Sequence, residues 1–525
     1  MALSLVLLTA VIALLIAAQY FSKRLEPYIR DQAIRYMRDR FEGDVELASL
    51  HVQLPKVSAL HLLWTRRAGA IAHVDGTGLL LRHKGRTDVP PMFGLKHFSF
   101  DLDLGLLYAS PKIVPQVTLE GMEIYVPPKG ERPKMGWHSD NAEGGKPSVL
   151  IQEVLITDAT LVILPKDTTK TPLRFDIQRL LLESVGKEVA MKYTATLDNP
   201  KPPGKIQSSG KFGPWAADEP GDTPLAGEYI FEKADLGVFS GIAGILRSTG
   251  QFEGSLSSIT AKGEASIPDF RLKFAGNPVP LSTRFEVLVD GTNGNTILKP
   301  VVARLGSTSF TTSGAVIKHE GEVRRTIRLG VSMPKGDLHD LFRLAMRGEP
   351  FMSGTIALQT KLDIPPLTGK VREKILLDGN FDITNGKILK SDIQDKIDAL
   401  SRRGQGQPKN LKIDEVVSLM GGSFVLENEV IRFKALSFAI PGAAIDLAGN
   451  YEMDQNVLDF HGTLRLDAKV SQTMTGWKRW VLKPVDPFFA KEGAGTLLRI
   501  KVDGTTKEPR FGLDRGKDAE ARVSQ

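Results

Sequence analysis

Apolar and polar positions alternate with two different periods along this chain, and the change between them sets the first expectations. Residues 1–22 carry no charge, and 3–21 are almost wholly apolar. A helix rises about 1.5 Å per residue, so this stretch reaches roughly 28 Å, close to the hydrocarbon thickness of a bilayer. It is expected to cross a membrane once, with Leu3, Leu7, Val11 and Leu15 in the apolar layer. Tyr20 and Phe21 would lie at the headgroups, with Lys23 and Arg24 just outside. Residues 25–41 then place Leu25, Tyr28, Ile29, Ala33, Met37 and Phe41 at helical spacing, with arginines between them. This amphipathic helix is expected to lie on the membrane, to plug the end of the next domain, or to be an ordinary packing helix.

Beyond Gly43 the period falls to two. Phe98, Phe100, Leu102 and Leu104 alternate with Ser99, Asp101 and Asp103, and Phe270, Leu272 and Phe274 alternate with Arg271 and Lys273. Further sets are Phe285, Val287 and Val289; Ile356, Leu358 and Leu362; Leu464 and Leu466; and Leu498, Ile500 and Val502. One apolar face opposite one polar face predicts antiparallel sheet covered on one side, since buried parallel strands read as continuous apolar runs. Turns are expected at Asp290-Gly291, Asn293-Gly294 and Asp378-Gly379. Residues 391–403 predict a short helix with Ile393, Ile397 and Leu400 on one face and Gly404 as its stop.

Weak internal echoes suggest a serial build. Ile259, Gly263, Pro268 and Phe270 share their spacing with Ile500, Gly504, Pro509 and Phe511. Asp235-Leu236 and Asp337-Leu338 are each expected to open a helical stretch leading to a strand that contains Gly254 or Gly354.

Composition keeps the chain globular: 42% hydrophobic and 25% charged over 525 residues, too long for one ordinary core. A net charge of +7 is thin at this length and does not suggest a nucleic-acid partner. The absence of Cys fits an oxidising or a reducing compartment equally. None of the nine His forms a zincin pair, no nucleophile elbow occurs, and the phosphate-loop-like residues 204–211 lack the Ser or Thr after Lys211. Neither a catalytic site nor a metal or other cofactor is expected.

Several segments resemble the AsmA-like family of bacterial envelope proteins, related to TamB and to the chorein-type bridge-like lipid transfer proteins. The resemblance is carried by Leu25-Glu26-Pro27-Tyr28-Ile29-Arg30 after the uncharged span, by Thr249-Gly250-Gln251-Phe252-Glu253-Gly254, and by Leu400-Ser401-Arg402-Arg403-Gly404. It continues in Ile440-Pro441-Gly442-Ala443, in Leu447-Ala448-Gly449-Asn450-Tyr451, and in Val502-Asp503-Gly504-Thr505 with Pro509-Arg510-Phe511-Gly512. It implies a mainly β fold: an N-terminal transmembrane helix followed by an elongated, curved antiparallel β-groove of repeated units with a few short helices. It also implies an inner-membrane anchor with the bulk in the periplasm, phospholipids as ligands, and an outer-membrane or periplasmic protein partner. A literal positive-inside count over Lys23, Arg24, Arg30, Arg35, Arg38 and Arg40 instead keeps the C-terminal bulk in the cytosol.

The expected organisation is an anchor at 1–22, an amphipathic helix at 23–42, an N-terminal β-groove region at 43–198, and a Pro/Gly-rich linker or loop at 199–227. A C-terminal AsmA-like region at 228–515 and a polar tail at 516–525 complete it. Candidate groove residues are the alternating apolar residues above apart from Leu362. The function these features imply is holding or conducting acyl chains in support of outer-membrane lipid homeostasis; the alternative is a scaffold for outer-membrane protein assembly.

Overall fold

The computed structural model describes residues 43–53, 71–83, 90–103, 112–126 and 149–164, nearly all of 172–473, and 495–514. It also describes the helical positions Pro27, Arg30, Asp31, Ile34 and Arg38. The expected span with Leu3, Leu7, Val11, Leu15, Tyr20 and Phe21, the expected tail, and Leu104 lie outside the described residues. Among the described residues no helix is long and apolar enough to cross a membrane.

The protein is mainly β: 23 strands belong to one predominantly antiparallel sheet, with a separate two-stranded sheet and few helices. It divides into two units, Met1–Asp235 with Arg247–Thr260, and Leu236–Leu246 with Ala261–Gln525. The expected linker at 199–227 is not one. It contains the strand Pro203–Phe212, paired with Met191–Pro200 on one side and Pro224–Asp235 on the other. Its Pro and Gly residues serve hairpin turns and close strand approach, so composition misread it.

In the first unit, strands Gly43–Gln53, Ile71–His83, Phe93–Asp103 and Lys112–Val126 form an antiparallel meander. Lys112–Val126 then pairs parallel with Val149–Ile163, against the antiparallel expectation, before antiparallel order resumes with Leu173–Val185. A feature invisible to strict alternation runs through these strands. Pairing skips Ala48, Gly78, Lys96, Gly121, Asp158 and Gln178 in successive strands. Each is one extra residue at the same level, so the ladder stays in register while the alternation changes phase. Leu47 and Leu50, three residues apart, therefore face the same core, as do Leu95 and Phe98. Gly78 shows why the position is restrictive: its φ is +65°, and a Cβ there would stand 2.7 Å from the Ala48 Cβ.

In the second unit twelve strands from Leu281–Val289 to Pro509–Leu513 follow one another in antiparallel order. Hairpin chemistry sets the register. Asn428 and Glu429 both take positive φ between Glu427 and Val430, as a two-residue type I′ turn requires. The expected turn at Asp290–Asn295 forms, with Gly294 at φ +75°. Asp378-Gly379 is instead inside strand Leu376–Ile388, because Gly379 serves close packing there: a Cβ would meet the Gln359 carbonyl oxygen at 2.5 Å.

Three further expectations are corrected. Phe270, Leu272 and Phe274 are not one alternating strand. Only Arg271–Leu272 is extended, paired with Ile242–Ala243 in the small sheet, and Lys273 to Ala275 form a turn. Asp337 does open a helix, Leu338–Ala345, but Asp235 opens only the 3-10 turn Leu236–Val238. Strand Thr496–Thr505 folds back onto Pro509–Leu513, whereas its sequence echo Ser258–Ile267 is followed by a turn. The helix Ser391–Gly404 forms as expected, with Ile397 and Leu400 packed against the sheet.

Glycine is required where strands approach closely. A Cβ on Gly449 would lie 2.1 Å from the Asp459 carbonyl oxygen of the paired strand, while Gly330 has nothing nearer than 3.9 Å. Gly449→Ala is therefore expected to destabilise by about 1–3 kcal/mol through forced backbone movement. Gly330→Ala should fall within about 1 kcal/mol of the parent. Urea unfolding of both variants checks this, and equal midpoints would refute the steric reading.

Candidate functional site

The strand register of the second unit assembles a face that no single strand reveals. Directly paired residues share a face, so the ladder can be followed across strands. One row runs Ile356, Ile383, Met420, Phe438, Ile445, Leu464 and Leu498. The next runs Met333, Leu358, Phe381, Gly422, Leu436, Leu447, Gly462, Ile500 and Leu513. A third contains Val331, Thr360, Gly379, Phe424, Phe433, Gly449, Phe460, Val502 and Phe511. A fourth contains Leu329, Leu362, Leu377, Leu426, Ile431, Tyr451 and Leu458. No Asp, Glu, Lys, Arg or His stands in these rows.

Phenyl rings sit beside glycines here. Phe381 lies 6.2 Å from Phe424 and 6.3 Å from Phe433 between ring centroids, and Phe433 lies 5.7 Å from Phe460. Gly422 and Gly449 occupy the paired positions between them, so the rings spread over backbone that carries no side chain. Edge and tilted ring contacts at these distances are favourable.

The two ends of the face differ. At one end short helices cover it. Leu338, 2% exposed, joins Met333, Met352, Ile356 and Ile383 in a core, with Leu341 and Phe342 packed against it. Asp337 caps that helix by accepting from the His339 N–H at 2.9 Å, and Phe342 stacks on Phe351. Asp340 ties the helix to the neighbouring hairpin by accepting from the Ser307 N–H, the Ser307 hydroxyl and the Thr308 hydroxyl at 2.8, 2.7 and 3.0 Å. Burial alone would raise its pKa, but those donors outweigh burial and hold the carboxyl below its usual range.

The helix Ser391–Gly404 is fixed at the same end. Buried Asp398 accepts from the Glu415 and Val416 N–H groups, both at 3.1 Å, and from Gln394 at 2.8 Å. The Ser401 hydroxyl donates to the Pro441 carbonyl at 2.7 Å, and Gly404 meets Gly442 so closely that a Cβ would lie 2.2 Å from its oxygen. Two sequence motifs forty residues apart, 400–404 and 440–443, are thus the two sides of one helix–sheet contact. At the opposite end the strands close by the turns at 290–295, 365–375, 428–429 and 453–456, with no helix of comparable length there among the described residues.

The candidate residues fall into distinct places. Leu358, Leu464, Leu498, Ile500 and Val502 are half-buried on this face. Ile356 and Leu466 are on it but lie in the cores formed with the helices, so they do not line its uncovered part. Phe285, Val287 and Val289 occupy strand Leu281–Val289, where the register shifts between Arg284 and Val287. Phe98 and Phe100 belong to the first unit. Phe98 pairs with Gly76 and Leu119, Phe100 with Val74 and Val117, and both pack on a cluster with Leu47, Leu50, Val74 and helical Ile34. The Leu102 backbone pairs with Ala72. Helical Ile34 packs on this cluster, and Arg30 donates to the Leu47 carbonyl. Phe381, Phe424, Phe433 and Phe460 were missed because glycines at 379, 422 and 449 interrupt the apolar count; the polar alternation Asp378, Asn380, Asp382 around Phe381 was the available signal.

The other face is polar and carries exposed ion pairs such as Arg284–Glu264 at 2.9 Å and Arg328–Asp363 at 3.0 Å. A depression of about 470 Å³ on the second unit is bordered by Asp382, Lys434, Ser437, Asp446 and His461. Among the described residues no three His, Asp or Glu side chains converge as metal ligands. Comparison with protein-family models, curated proteins and solved structures finds no match.

Because the folded pKa of Asp340 is depressed, its tether contributes fully above the unfolded carboxyl value of about 4 and is lost as pH falls through the folded value. Stability of the wild type should therefore drop more steeply on acidification below about pH 4 than that of Asp340→Asn. Parallel slopes in urea titrations over that range would remove the tether.

Proposed function

We propose that this chain is an AsmA-like envelope protein that holds or conducts phospholipid acyl chains along an apolar β-groove, supporting outer-membrane lipid homeostasis. In this reading residues 1–22 anchor it in the inner membrane, the bulk lies in the periplasm as an elongated, curved sheet, and the partners are phospholipids, the inner membrane and an outer-membrane or periplasmic protein. It assigns no catalytic step and no cofactor. The observation that carries it is the set of charge-free rows across successive strands, many of whose side chains are only half-buried. An acyl chain exposed to water costs about 0.8 kcal/mol per methylene, so such a surface relieves a large penalty by contact alone. A polar opposite face keeps the sheet soluble while the first is occupied.

One feature favours the scaffold alternative. On the last strand Phe511 and Leu513 are 71% and 55% exposed beside Val502 and Ile500, where a protein strand could continue the sheet.

Mass spectrometry of lipid extracted from the purified full chain is expected to find phospholipid, and a photocrosslinker at Phe424 should label it. Phe433→Asp puts a charge beside that path while leaving it partly hydrated, so labelling should fall severalfold with a cooperative melt retained. Loss of folding with no adduct in the parent protein would mean a closed core and end the conduit reading. An export-dependent reporter fused after Gln525 should be active; activity of a cytosolic reporter alone would refute the periplasmic placement.

A further inference from the structure

The end of the apolar face that no helix of eight or more residues covers among the described residues carries a charge imbalance that the lipid reading does not by itself require. Three adjacent strands end there: Thr326–Asp337 begins, Met352–Ile364 finishes and Leu376–Ile388 begins. Apolar residues of the face run up to this lip, with Ile327 paired to Ile364 and Leu362 to Leu377. Just beyond it stand Arg324, Arg325, Lys370, Arg372 and Lys374, while Leu367 is 60% exposed.

Most of these cations are committed. Arg325 donates to the Gly294 and Asn293 carbonyls at 2.8 and 2.7 Å, holding a turn. Arg372 pairs with Glu429 at 2.7 Å, and Lys370 with Glu373 at 3.3 Å. Lys374 and Arg324 differ. Lys374 donates to the Leu367 carbonyl at 2.5 Å, which uses one of its three N–H bonds, and no carboxylate among the described residues pairs with either side chain. The two flank the same lip, Arg324 just before Thr326–Asp337 and Lys374 just before Leu376–Ile388, and burial first and the Arg324 charge second hold the Lys374 pKa below the usual lysine range. Two cations that no acid among the described residues pairs with, next to an exposed leucine at the end of a charge-free face, complement an anion that carries an apolar tail.

We propose that Lys374 and Arg324 bind the anionic headgroup of an amphiphile whose chain lies on the apolar face, so that the second unit selects acidic lipids over neutral ones. This rests on the lipid reading above but adds headgroup choice to it. The tail enters from the uncovered end, since the opposite end is filled by Leu338, Leu341 and Phe342.

The test uses cis-parinaric acid and its methyl ester, which share a chain and differ in charge. Binding to the full chain in nanodiscs is followed by probe fluorescence at about pH 7.5, where a free carboxylate is ionised, with empty nanodiscs subtracted. The wild type should prefer the acid by about three- to tenfold, the range expected of two partly exposed charge contacts. Lys374→Gln with Arg324→Gln should abolish that preference and leave ester affinity unchanged, because Gln can still donate to the Leu367 carbonyl. Equal affinity of acid and ester in the wild type, or a preference retained in the double variant, would overturn the headgroup site while sparing the apolar face. Binding of neither probe would remove both. Inorganic phosphate competing with the acid as strongly as a tailed anion does would reduce the site to a plain anion site and overturn the amphiphile assignment.

Discussion

Register between antiparallel neighbours is the constraint on which the rest of this protein depends. Side chains alternate with a period of two, so a slip of one residue would send a strand's apolar set to the polar face. The rows from Ile356 to Leu498 and from Met333 to Leu513 exist only because successive hairpins keep the same phase. Turn chemistry therefore sets which side chains share the apolar face. Asn428 and Glu429 in a two-residue turn do more to place Phe424 opposite Phe433 than either phenyl ring does.

Extra residues are tolerated when every neighbour carries one at the same level. In the first unit the unpaired positions from Ala48 to Gln178 line up across six strands, which leaves the ladder intact on either side. In the second unit register shifts occur at Met333/Gly336, Ile383/Gly386 and Phe433/Leu436. Elsewhere glycines permit close strand contacts, as at Gly449 against Asp459. Several short glycine motifs of the sequence thus have packing explanations, and they do not by themselves mark chemistry.

Asymmetry between the two ends turns a sheet into a directional surface. Short helices with apolar inner faces, tied down by Asp340, Asp398 and Ser401, fill one end of the second unit's face. The other end keeps turns, paired ions and two cations that no acid among the described residues pairs with. Under the proposed lipid reading, an amphiphile on such a face would have one orientation that satisfies both its tail and its headgroup.

A β-rich chain, one-sided in polarity and punctuated by a helix at 391–404, was legible from local alternation and capping signals, which need no distant partner. The sequence also named part of the apolar face, including Leu358, Leu464, Leu498 and Ile500. It placed Phe270 and Leu272 wrongly because two residues of alternation look the same in a strand and in a turn. It read 199–227 as a linker because Pro and Gly mark tight hairpins as well as boundaries. Which apolar residues meet depends on strand pairing over long sequence distances. Phe381, Gly422, Leu436 and Leu447 come from four strands and share one row through hydrogen-bond register, a non-local property that no window of the sequence contains.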